Sequence, residues 1–258
     1  MTRVIAITNH KGGVAKTTTS ANLGAGLALR GKRVLLIDLD PQRNLTDSLT
    51  SEESETTLYD SMTGDAPLPV LSVGENLDLC PSDVYLAKAE SDLSTKIGKE
   101  TILKRLLAPV LDRYDYILLD CPPSLGLLTI NALASATDLY LTLTAEALPL
   151  RGLDMLSEIV SDIRKAINPS LDFSGVIITR YQSRRLNKEV VENISARYGE
   201  RLFATRIREN ISIAESPLSR SSIFDYDPKS RGAQDYLSLA DEVIEREKKV
   251  VNNSQSKL

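Results

Sequence analysis

The chain has 258 residues, 42% of them hydrophobic, with two cysteines, one histidine and a net charge of −4. That length and apolar share suffice for a core without covalent staples, and two cysteines, Cys80 and Cys121, exclude a disulfide framework. No apolar run approaches the roughly 20 residues of a membrane span, and MTRVIAITNH lacks the order of a secretory signal, so a soluble cytoplasmic protein is expected.

RVIAIT at residues 3–8 is a β-branched run closed by a glycine-rich turn, which predicts a buried strand. Residues 17–30 then place Leu23, Leu27 and Ala28 on one helical face, and Gly31 ends the helix. RVLLID at 33–38 is a second buried strand, so the chain opens with a βαβ unit and a parallel sheet. After a polar loop at 50–56, further strands are expected at 77–79, 116–120, 139–143 and 175–179. Helices are expected at 101–111, 150–167, 185–198 and 230–248. The stripe of Tyr236, Leu237, Ala240, Val243 and Ile244 reads as core packing, and the polar residues 249–258 as a disordered tail. Near-continuous apolar strands need helices on both sheet faces. The expected fold is therefore α/β: one doubly wound domain over 1–248, with a mostly parallel twisted sheet and its ligands at the carboxyl ends of the strands.

The first turn reads Lys11-Gly12-Gly13-Val14-Ala15-Lys16-Thr17-Thr18. A triphosphate needs many close donors. A glycine-rich turn exposes successive backbone amides, and the helix that follows adds its positive end. Lys16 supplies a point charge for the β- and γ-phosphates, and the Thr17 hydroxyl suits Mg²⁺. This is a P-loop NTPase signature in its required strand–loop–helix context. Ala15 stands where glycine is usual before the lysine; a positive φ there costs alanine about 1 kcal/mol.

Asp38 and Asp40 end the second strand, and Asp120 ends YILLD. Carboxylates beside bound phosphate repel it unless a cation lies between them, so the three imply Mg²⁺, held directly or through water. One of them can also orient the attacking water. His10 is the single histidine, so no multi-histidine metal centre is available, and it reads as a turn or interface residue.

KGGVAKTT, with DLDPQRN and YILLDCPP, resembles the deviant Walker A ATPases, and within that ParA/MinD superfamily the ParA/Soj partition ATPases. The likeness runs nearly end to end, through LALRGKRVLLIDLDPQ, DCPPSLGLLTINAL, EVVENI and YDPKSRGAQDYLSLADEVI. The resemblance implies that ATP drives a face-to-face homodimer with two nucleotides between the subunits and that Lys11 reaches across to the partner's phosphates. Asp40 would position the hydrolytic water; Asp38 and Asp120 would support Mg²⁺ and sense the γ-phosphate. Glu146 matches a family glutamate near the dimer face and is expected to pair with Lys11 when no partner is present. Thr179, Arg180, Ile207, Arg208 and Asn210 are the candidates for the adenine pocket.

By the same resemblance the ATP dimer binds nonspecific DNA on the nucleoid and the ADP form does not. A ParB-like or organelle-adaptor activator triggers slow hydrolysis to ADP, and the cargo is a plasmid, a chromosome origin or a protein body such as the carboxysome. No helix-turn-helix extension precedes the first strand, which fits the short form that does not repress its own operon.

Residues 1–149 carry 13 basic against 19 acidic side chains, whereas 180–231 carry 11 against 7. Phosphate contacts need clustered Lys/Arg and give salt-sensitive binding. The candidates are Arg180, Arg184, Arg185, Lys188, Arg197, Arg201, Arg206, Arg208, Arg220 and Arg231. The family pattern departs here: Arg208-Glu209-Asn210 replaces Pro-Arg-Asn, Ser212 replaces a basic residue and Gln182 an aspartate.

A MinD-like membrane-cycling ATPase needs a cationic amphipathic C-terminal helix, and EREKKVVNNSQSKL offers only Val250 and Val251 as bulky apolar residues. An amidoligase-type synthetase would use the loop to activate a carboxylate, but nothing resembles its acceptor pocket. A redox ATPase would bridge a cluster with two cysteines per subunit; Cys121 within DCPP matches a common partition sequence, and both thiols read as buried and structural.

Overall fold

Alternate residues along the central strands enter two different cores. In β1 (Arg3–Thr8), Val4 and Ala6 face one side of the sheet and Ile5 and Ile7 the other. In β2 (Val34–Asp38), Leu35 and Ile37 part from Val34 and Leu36 in the same way. A strand with this period and no polar face must be covered on both sides. The chain is seen in a computed structural model that describes residues 2–64, 66–145 and 150–255, with side chains described except at 150–155 and 250–255.

The remaining strands are β3 (Leu71–Gly74), β4 (Leu77–Cys80), β5 (Tyr116–Asp120), β6 (Asp138–Thr144), β7 (Asp172–Tyr181) and β8 (Leu202–Arg208). They form one sheet in the order β3-β4-β2-β5-β1-β6-β7-β8. Every pairing is parallel except β3 with β4. β1 lies between β5 and β6, so connections leave it toward both edges, and the loop after β1 opens at the switch point where doubly wound folds bind ligands.

The helices in chain order are α1 (Lys16–Leu29), α2 (Asn44–Leu49), α3 (Leu58–Thr63), α4 (Ala89–Asp92), α5 (Ile102–Leu107), α6 (Leu127–Ser135), α7 (Leu150–Ala166), α8 (Arg185–Tyr198), α9 (Ile211–Glu215), α10 (Ile223–Tyr226) and α11 (Arg231–Gln255). Leu23 and Leu27 of α1 and Tyr236, Leu239 and Val243 of α11 fill one core with Ile5, Ile7 and Leu36. Residues of α5, α6, α7 and α8 fill the other. Gly24 sets the distance of α1 from β2, since a Cβ there would stand 2.5 Å from the Leu36 side chain.

Two expectations need correction. The helix expected at 101–111 is α5 flanked by 3₁₀ turns at Lys99–Thr101 and Ala108–Arg113, because Pro109 cannot donate to a continued α ladder. The last helix does not stop at 248: α11 runs to Gln255, so the tail expected to be disordered is largely helical, and 256–258 lie outside the described residues. Strands β3 and β8 were not anticipated; both lie at sheet edges, where one flank needs no partner and the apolar signal is diluted. Among the described residues no helix is long and apolar enough to cross a membrane.

Candidate functional site

The turn between β1 and α1 is held from both ends. Asn9 accepts from the Lys11 amide (2.9 Å) and donates to the Thr142 carbonyl of β6 (2.7 Å). Val14 accepts from the buried Thr179 hydroxyl at 3.2 Å, which ties the loop to β7. Gly13 has φ +73° and Ala15 φ +61°, so two left-handed residues turn successive amides into the concavity. Ala15 is also the N-cap of α1 and makes no side-chain cap, which leaves the first amides of the helix to an external anion. A Cβ at Gly12 or Gly13 would meet nothing within 4 Å, so phosphate oxygens have room to approach the backbone there. Lys16 is buried beneath the loop; burial lowers its pKa, and Asp120, Cys121 and Asp40 pull it back up. Lys11 and His10 are exposed.

Asp38 and Asp120 end β2 and β5 in register and are both fully buried. Asp38 accepts from the amides of Asp40 (3.0 Å) and Thr46 (2.9 Å) and from the Thr46 hydroxyl (2.7 Å). Asp120 accepts from the Ser20 hydroxyl at 3.0 Å on one oxygen; its other oxygen, Oδ2, is buried with no hydrogen-bond partner. Burial lifts the Asp38 pKa to about 6 against the pull of its donors. Burial, then the Asp38 charge, lifts Asp120 to about 8.

An orphaned carboxylate oxygen beside a second buried carboxylate and the Thr17 hydroxyl is a hard-oxygen donor set that fits Mg²⁺. Among the described residues no three acidic, histidine or cysteine side chains converge as a metal cage. Asp40 sits just beyond β2. Its carboxylate accepts from the Gln42 amide (2.9 Å) and its carbonyl from the Ser82 hydroxyl (2.8 Å).

Beside the loop is a cavity of about 380 Å³. Ala15, Thr18 and Tyr236 line it on the loop side, and Thr179, Arg180, Ile207, Arg208 and Asn210 on the other. Its volume suits a purine ring. The five adenine candidates therefore converge, in differing ways. Arg208 is locked by Asp235, which takes its backbone amide (2.9 Å) and its guanidinium (2.6 Å). Asn210 caps α9 through the Ile213 amide. Arg180 has φ +50° inside β7, where the pairing with β8 shifts register.

A family model described as an AAA domain matches residues 2–173. The sporulation initiation inhibitor protein Soj of Bacillus subtilis is 44% identical over 249 residues, covering 94% of this chain and 98% of its own. The chain belongs to the ParA/Soj family of partition ATPases. The chromosome partitioning protein ParA of Caulobacter vibrioides is 39% identical, with 95% of each chain covered. A crystal structure of cobyrinic acid a,c-diamide synthase from Mycobacterium smegmatis with bound ADP and magnesium superposes with a TM-score of 0.85 at 36% identity, covering 96% of both chains.

In this ParA/Soj chain Lys16 of the loop lies near Asp40 and Asp120, Asp38 stands opposite Asp120, and Glu146 lies outside the described residues. The basic candidates do not form one free cluster. Arg208 is paired with Asp235, Arg180 with Glu209 at 3.7 Å and Arg185 with Glu189 at 2.8 Å. Arg201 and Arg206 lie over the rings of Phe173 and Tyr181. Both cysteines are buried and free.

Sequence reasoning missed Thr46, Ser82, Ser20 and Asp235. Ser20 was legible, because it stands one turn after Lys16 on the same face of α1. Thr46 and Ser82 were not, since only the fold brings the Ser82 amide to the Thr46 hydroxyl at 3.0 Å.

Proposed function

We propose that this ParA/Soj chain is an ATP-driven dimerising switch that binds DNA without sequence preference in its ATP form and positions cargo. The observation that carries the reading is the loop at residues 11–18 facing the buried Asp38–Asp120 pair, with a second lysine, Lys11, exposed on its rim. Lys16 and the loop amides bind the β- and γ-phosphates. Thr17, Asp38 and Asp120 would hold Mg²⁺, which when bound offsets phosphate charge. Asp40 aligns a water with the γ-phosphorus, so that its oxygen bonds phosphorus as the bond to the β-bridging oxygen breaks, giving ADP and phosphate. Lys11 neutralises charge on the other subunit's nucleotide, which makes closure depend on the terminal phosphate. The chromosome-partitioning name of the Caulobacter relative supports a replicon as cargo; a ParB-like adaptor would stimulate hydrolysis.

The test is a gel shift on unrelated duplexes. Retardation with ATP and Mg²⁺, lost with ADP and weakened by salt, supports the reading; equal binding with both nucleotides removes the switch.

One observation favours a second reading: the M. smegmatis neighbour bears a diamide synthase name. Glutamine-fed amidation needs a reactive thiolate. Cys80 and Cys121 are both buried, and burial pushes both thiols up. ADP release without any carboxylate acceptor separates the readings.

A further inference from the structure

A second cleft lies under α7 at the amino-terminal ends of β6 and β7, away from the phosphate loop. Its volume is about 490 Å³, inside the roughly 300–1,000 Å³ of small-molecule sites. Leu139 and Leu141 of β6 and Val160 of α7 give it an apolar lining. Phe173 and Tyr198 close the far side as an edge-to-face pair, with centroids 5.6 Å apart.

The charge on the rim has one sign. Arg164, Lys165 and Arg201 line the opening, and among the described residues none of the three has a carboxylate partner. Of the acids of the same helix with described side chains, Glu158 and Asp162, neither lines the cleft: at 3.6 residues per turn they fall on the side of α7 away from Val160 and Arg164, next to Lys165 at the edge of the rim. Among the described residues no carboxylate lines the cleft, although the chain as a whole is acidic.

We infer that this cleft binds a small soluble amphiphilic anion. Its apolar body lies on Leu139, Leu141 and Val160, and its acidic head meets Arg164, Lys165 and Arg201. Burial of the chain drives entry, and the charge-assisted contacts select an anion over a neutral molecule of the same length. The volume holds one such chain, which favours a free amphiphile over a bilayer. The inference stands apart from the ATPase reading.

Calorimetric titration of the full chain with decanoate, below its micellar range, and with 1-decanol tests it. One saturable site is expected, at least tenfold tighter for decanoate. Arg164→Glu combined with Arg201→Glu should erase that preference. Val160→Trp should fill the cleft and abolish both, with nucleotide binding unchanged in each variant as the check on folding. Absence of saturable decanoate binding overturns the inference. So do equal affinity for decanol, undiminished binding by Val160→Trp, and binding confined to anionic vesicles or to an acidic helical peptide.

Discussion

Asp38 and Asp120 stand side by side across the β2–β5 ladder, both without access to solvent, and only one of their four carboxylate oxygens, Asp120 Oδ2, is buried without a donor. Their native pKa values, about 6 and about 8, lie above the ordinary carboxylate value of 3.8. Between that value and about 8 the native state therefore binds more protons than the unfolded chain, and stability falls as pH rises. Without nucleotide or Mg²⁺, the urea midpoint should drop from pH 6 to pH 8. Asp120→Asn should remove most of the drop. A midpoint that rises over this window contradicts the electrostatic picture of the pair.

Ala15 occupies a left-handed backbone conformation, at φ +61°. Alanine pays about 1–2 kcal/mol there, and glycine returns part of that gain through the entropy of the unfolded chain. Ala15→Gly should raise stability by about 0.5–1 kcal/mol in nucleotide-free urea unfolding. Ala15→Val should lower it. A destabilised Ala15→Gly would mean that the loop relaxes away from this geometry before phosphate arrives.

Thr46 joins three parts of the site: its hydroxyl donates to Asp38 and accepts from the Ser82 amide, and Ser82 in turn holds the Asp40 carbonyl. Thr46→Val keeps the shape and removes both bonds. The expected loss is about 1–3 kcal/mol of stability, with ATP turnover reduced more than ATP affinity because Asp40 loses its anchorage. Thr46→Ser should restore both. Turnover unaffected by Thr46→Val would detach this network from catalysis.

Asp235 aims Arg208 at the cavity beside the loop. The guanidinium is partly exposed, so solvent screens the pair. Asp235→Asn should weaken ATP affinity by about three- to tenfold with kcat nearly kept, consistent with a loss of about 1 kcal/mol. A fall in kcat at constant KM would place Arg208 with the reacting phosphates instead of the base.

The central strands were legible because VIAI, VLLI and YILLD are apolar on both faces, and the loop because lysine, glycine and threonine spacing follows from what a triphosphate demands. β8 was not, because Arg206 and Arg208 interrupt LFATRIR and only an edge position tolerates that pattern. α11 outran its expected end because the apolar stripe stops before the backbone does. The Thr46–Ser82 and Arg208–Asp235 contacts join residues 36 and 27 positions apart, and no local period encodes them.

Whether the terminal phosphate closes a Lys11-dependent dimer is read by sedimentation velocity with Mg²⁺ on the parent chain and on Lys11→Ala, with a slowly hydrolysed ATP analogue or with ADP. A dimer is expected only for the parent with the triphosphate. A parent chain that sediments as a monomer with both nucleotides, or a Lys11→Ala variant that dimerises as well as the parent, contradicts it.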